Sequence, residues 1–202
     1  MTPVLWSFRR CPYAMRARLA IAAARQVVET REILLRDKPD AFLAVSPSAT
    51  VPCLVLANRV IDESRDIMVW ALQQHDPQDW LDMPAEGHDL IARNDGPFKQ
   101  ALDRTKYANR YPDSDPYQQR EIAAEILHDL NRRLQAGWLF GRVTLADIAI
   151  LPFVRQFAQI DRTWFDAQDW PDLRAWLDVF TQSQDFARIM TRRPIWSPDV
   201  RS

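Results

Sequence analysis

VLWSFRRCPYAMRARLAIAAAR, residues 4–25, runs from an apolar segment through a single cysteine into a helical pattern. Residues 4–8 read as a short strand. Residues 12–25 carry helical periodicity, with Met15, Leu19 and Ala22 on one face and Arg16, Arg18 and Arg25 mostly off it. Pro12 suits the first turn of that helix, because its missing N–H would have found no partner there. A strand feeding a helix opens an α/β unit, and the next fifty residues continue it.

Residues 27–35 read as a second strand. Residues 39–45 form a short helix, stopped before Ser46-Pro47 because the residue ahead of a proline avoids the α region. Residues 51–56 and 59–61 flank Ala57-Asn58 as a hairpin, and a helix follows over 64–75. The order β-α-β-α-β-β-α predicts a mixed sheet covered by helices. After DPQDWLDMP (76–84) the strand signals vanish, leaving helical patterns over 85–110, 116–136, 145–160 and 171–180. Only four glycines occur, and the turns YPDSDP (111–116) and DAQDWPD (166–172) are marked by proline. The expected division is an α/β domain over 1–77, a linker over 78–84 and an all-α domain over 85–202. Within VTLADIAILPF (143–153), Thr144 is placed to cap a strongly apolar helix, with Asp147 answering it in a capping box.

Composition removes several function classes. The 26 basic and 27 acidic side chains create no positive field for nucleic acid or an anionic membrane. The longest apolar runs, such as 20–24 and 148–152, fall far below the roughly 20 residues that span a bilayer. MTPVLWSF at the N-terminus has no basic region ahead of an apolar core, so no secretory signal is expected. Two cysteines, Cys11 and Cys53, argue against a disulfide framework and for a reducing cytoplasm. His75, His88 and His128 make no metal-ligand spacing with them, so no metal is expected.

Three short stretches carry candidate chemistry. Cys11 lies between strand and helix, where unpaired N–H groups stabilise an anion and Arg9, Arg10 and Arg16 add positive charge. Cysteine is also among the most buried residue types, so position and charge leave a reactive and an inert thiol equally open. In TVPCLVL (50–56), Pro52 heads a run that otherwise reads as a strand, which suits an edge, a strand start or a cis bond. Alternation puts Cys53 on the face of Val51, and a core thiol is expected there ahead of a resolving cysteine. In DESRDI (62–67), Ser64 reads as a helix cap. With Glu63 it is also suited to a ligand that carries both a carboxylate and an ammonium group.

Taken together, CPYA, DKPDAFLAVSP, TVPCL, DES and TLADIAILP resemble the cytosolic glutathione transferases in order and spacing, over essentially the whole chain. The single cysteine of CPYA is most similar to the omega-type and glutaredoxin-like members. The resemblance implies a thioredoxin-like first domain and a helical second. It implies that Cys11 forms a mixed disulfide with glutathione and that Val51, held by a cis bond to Pro52, pairs with the cysteinyl part. Glu63 and Ser64 would bind the γ-glutamyl end, and Lys38 would neutralise the glycyl carboxylate. Lys106 and Tyr107 would lie towards a second substrate, and the usual assembly would be a homodimer. Thiol transfer with glutathione as co-substrate is the leading expectation. Conjugation to electrophiles and a binding module without turnover are the alternatives. Seven of the eight tryptophans, mostly in helical segments, are assigned to packing.

Overall fold

The computed structural model describes residues 1–198. Two compact units divide the chain: Met1–Gln78 together with the chain from Ser183 onward, and Asp79–Gln182. The expected fold class is observed, an α/β thioredoxin-like part followed by a helical part.

The first unit is built on a four-stranded sheet in the order β2-β1-β3-β4. Strand β1 (Val4–Ser7) is central. It pairs in parallel with β2 (Glu29–Glu32) and antiparallel with β3 (Cys53–Val55), which pairs antiparallel with β4 (Val60–Ile61). The strands are shorter than the apolar runs that predict them. Val27, expected to open β2, is 80% exposed, so hydrophobicity there marks the approach to the sheet and not the sheet itself. Helix α1 (Pro12–Ala23) packs against α3 (Ser64–Gln74), and the short α2 (Asp40–Leu43) sets Phe42 into a core with Trp6, Ile33, Val51 and Cys53.

The second unit begins with α4 (Glu86–Arg93), a wide π-helical turn over Asn94–Phe98, and α5 (Lys99–Lys106). The sequence reads as one helix over 85–110. The interruption has a local cause: Pro97 has no N–H and its ring crowds the preceding turn, so the backbone opens there. Helices α6 (Pro116–Arg133), α7 (Leu145–Ala158), α8 (Arg162–Asp166) and α9 (Pro171–Gln182) complete this unit. α8 lies where no helix was expected, ending in what reads as a turn.

α7 is the buried centre. Asp147 stands beneath its first turn, where Oδ2 accepts from Thr144 N–H at 2.9 Å and from the Thr144 hydroxyl at 2.8 Å. Oδ1 accepts from Leu139 N–H and from Trp176 Nε1, both at 3.1 Å. Burial pushes the carboxyl upward, and these donors pull it back. Thr144 and Asp147 therefore do more than cap one helix: they tie it to the preceding loop and to α9.

The chain then returns to the first unit. α10 (Gln184–Ile189) packs on α1, Ile195 bridges Glu32 in parallel, and Trp196 N–H donates to Glu32 O at 2.8 Å. Trp196 meets Trp6 edge-on at 4.9 Å, and the Arg31 guanidinium lies 5.0 Å from both rings. The expected division had assigned residues 183–202 to the helical part. What returns residues 183–198 to the sheet is the burial of Ile189 and the bond to the free edge of β2; residues 199–202 lie outside the described residues.

Candidate functional site

Cys11 is the N-cap of α1, with extended backbone (φ −73°, ψ 123°) and Pro12 in the first turn. Its N–H donates to Phe8 O at 3.0 Å, and its carbonyl accepts the first helical bond from Met15 at 2.9 Å. The loop therefore turns sharply out of β1 and leaves the thiol half-buried at the start of the helix. The sulfur lies 3.6 Å from the carbonyl oxygen of Val51. The Val51–Pro52 bond is cis. Residues 11 and 51, forty apart in sequence, thus meet at one end of the sheet.

Beside them is a cavity of about 320 Å³ lined by Tyr13, Thr50, Val51, Pro52, Asp62, Glu63 and Ser64. Its contents are chemically mixed: two carboxylates, hydroxyls from Thr50, Tyr13 and Ser64, and the start of α3. Glu63, not Ser64, is the N-cap of α3, and neither Glu63 oxygen bonds back to the helix. Ser64 is the first helical residue, 2% exposed, and its oxygen accepts from Arg16 Nε at 3.1 Å and Nη2 at 2.9 Å. A hydroxyl has two lone pairs and one proton. With both lone pairs engaged by Arg16, Ser64 is left as a donor, the form that suits an anionic ligand.

The arginines divide differently from their expected role beside the sulfur. Arg16 serves Ser64 and lies over the Tyr13 ring at 5.1 Å; Arg10 is exposed and lies over Phe8 at 5.4 Å. The cation built into the cysteine loop is Arg18, which is 8% exposed. It donates to Ser7 Oγ, to Phe8 O at 3.4 Å and to Arg9 O at 2.8 Å, while Arg9 N–H donates to Glu32 Oε1 at 2.6 Å. Burial lowers Arg18 to about 10, against the pull of Glu32 and the Cys11 sulfur, so it remains charged at neutral pH. Burial likewise raises Glu32, offset by Arg9 and Arg18. Sequence reasoning missed this cluster. The available signal was two arginines within an Ala, Leu, Ile and Met helix that contains no acidic residue.

The other expected residues fall elsewhere. Lys38 is half-buried just ahead of α2 and does not line the cavity beside Cys11. Lys106 and Tyr107 belong to the helical unit, where Tyr107 ends α5 with Lys106 Nζ 5.1 Å and Arg110 4.5 Å from its ring centre. Cys53 is fully buried, and loss of hydration raises its thiol to about 11. Among the described residues, no group of three or more His, Cys, Asp or Glu side chains could hold a metal ion. Among the same residues, no helix is long and apolar enough to cross a membrane.

Two family profiles match the chain in succession, the glutathione S-transferase N-terminal domain over residues 5–79 and the glutathione S-transferase C-terminal domain over 89–178. The chain belongs to the glutathione S-transferase superfamily. Glutathione S-transferase DHAR2 of Arabidopsis thaliana is 26% identical over 142 residues, 70% of this chain; the chain spans 64% of the length of that relative. Among solved structures of the same transferase fold, glutathione transferase Omega 3C from Trametes versicolor superposes with a TM-score of 0.80 at 15% identity. That superposition covers 96% of this chain and 86% of the other. A glutathione transferase from Pseudomonas putida, with one glutathione disulfide bound per subunit, gives 0.79 at 17% identity over 94% and 90%.

Proposed function

We propose that this glutathione S-transferase is a thiol transferase in which Cys11 exchanges disulfides with glutathione. The observation that carries the reading is Cys11 itself: a half-buried thiol at a helix start, beside the Val51 carbonyl and a cavity with carboxylates and a donor hydroxyl. Glutathione is a peptide with two carboxylates, one ammonium group and one thiol. In this reading its γ-glutamyl ammonium group meets Glu63, and the adjacent carboxylate meets Ser64 O–H and the N–H groups that open α3. The backbone of Val51 aligns its cysteinyl residue, and Lys38 balances its glycyl carboxylate from the α2 side.

The exchange has two steps. The Cys11 thiolate attacks the glutathione sulfur of a mixed disulfide, forming a Cys11–glutathione bond and releasing the substrate thiolate, which takes up a proton. A second glutathione thiolate then attacks the glutathione sulfur held on Cys11, releasing glutathione disulfide and regenerating the Cys11 thiolate. No second protein thiol is needed, which accords with Ala14 standing where a redox pair would place one. The glutathione disulfide bound to the Pseudomonas putida relative supports a site that accepts this product.

The test compares wild type with Cys11→Ser in two assays. Glutathione-dependent reduction of a small mixed disulfide should fall on the order of 100-fold or more, as expected when a nucleophile is removed. Conjugation of glutathione to a chlorodinitrobenzene-type electrophile should not fall in parallel. Equal reduction by the two proteins removes Cys11 from the reaction. Conjugation by wild type without any disulfide reduction establishes the alternative, a conjugating transferase.

A further inference from the structure

Away from Val51 and Pro52, the first unit also holds a smaller cavity of about 180 Å³, whose lining includes Gln26, Val28 and Thr30. β1 contributes Leu5 to it, α1 contributes Arg18, Ile21 and Ala22, and the returning chain contributes Arg188, Ile189 and Arg193. Three of these are guanidinium groups. Arg18 is the interior one: its two Nη atoms are occupied by the Ser7–Arg9 loop, but Nε is buried with no hydrogen-bond partner among the described residues. A buried donor left unmade costs about 1–3 kcal/mol, so an acceptor arriving there is favoured. Arg188 and Arg193 are both exposed. Among the described residues, Asp185 lies 3.9 Å from Arg188, and Glu32, whose charge acts on Arg18, already accepts from Arg9 N–H. Among the described residues that line the pocket, three are cations and none is a carboxylate.

The walls decide which anion fits. Leu5, Ile21 and Ile189 give the cavity an apolar side that inorganic phosphate would leave wet. The volume lies below the roughly 300 Å³ at which pockets for drug-sized ligands begin. A compact head with two acceptor oxygens and a short aliphatic body satisfies both surfaces. We infer that this cavity binds a small aliphatic carboxylate, its head among Arg18, Arg188 and Arg193 and its chain against Leu5, Ile21 and Ile189.

Hexanoate is the probe, titrated calorimetrically into the full chain without glutathione, with hexanamide and inorganic phosphate as comparison ligands. Hexanoate should bind saturably, and more tightly than either. The double variant Arg188→Gln, Arg193→Gln leaves the buried Arg18 in place and changes only exposed side chains. It should weaken hexanoate about tenfold, the loss expected on removing charge-assisted hydrogen bonds. Equal affinity for hexanamide, preference for phosphate, or undiminished binding by the double variant overturns the assignment. Binding of hexanoate in the cavity beside Cys11 would be untouched by that double variant. A failure here is therefore distinct from a failure of the Cys11 assays.

Discussion

Cys53 and Cys11 are packed about one core and live in different chemical worlds. Burial holds the Cys53 thiol near 11, and the residue has no exposed surface. Because its folded value is raised above the ordinary 9.0, the neutral thiol favours the fold at every pH below that ordinary value. The advantage is lost as pH climbs towards 11, where the unfolded thiol is ionised and the folded one only half so. The stability of wild type, read from urea unfolding, should therefore fall between pH 9 and 11 relative to Cys53→Ala, by about 2 kcal/mol at the top of the window. A difference that stays flat with pH would show that Cys53 does not titrate with folding. Strand alternation puts Cys53 on the face of Val51, and its full burial is what makes it a core thiol. The burial of Arg16 and Arg18 is not, because amphipathic periodicity sends charges towards water by default. Their partners, Ser64 forty-eight residues away and Ser7 eleven, are brought close only by the fold.

At the scale of the element, the Thr144–Asp147 pair at the head of α7 separates two effects that look alike in sequence. Thr144→Ala removes one donor from a carboxylate that keeps three others and should cost about 1 kcal/mol. Asp147→Ala strands the N–H groups of Leu139 and Thr144 and the indole N–H of Trp176 in the core, for a loss on the order of 3–5 kcal/mol. Urea unfolding of the two variants at neutral pH checks the ratio; equal losses would reduce Asp147 to an ordinary cap. The capping signature could be read because its residues are three apart. The bonds to Leu139 and Trp176 come from other elements and leave no local trace. The same limit explains the broken helix over 85–110, where the apolar period runs on through Gly96-Pro97 although the backbone opens. It explains α10 too, whose six residues bury only Ile189 and are too short for any period to declare itself.

For the whole molecule, the return of residues 183–198 matters most. Trp196 packs on Trp6, shares Arg31 with it, and closes the edge of β2. Trp196→Ala should lower stability by about 1–2 kcal/mol through lost apolar area and a lost aromatic pair, read as a lower urea midpoint. No change would mean that the closing segment only rests on the sheet. The element order of the first unit was legible from the opening strand and helix onward; its completion by residues that follow the helical unit was not. In linear terms the helical unit is an insertion within the first one, entered after Gln78 and left before Ser183. Domains generally fold as units while the chain is still being synthesised, the N-terminal part first. Here that order leaves the first unit incomplete. The sheet emerges from the ribosome first, yet it waits with its β2 edge and Trp6 incompletely covered until more than a hundred further residues have been made. A chaperone that shields this edge during translation would meet the unit at its most vulnerable moment.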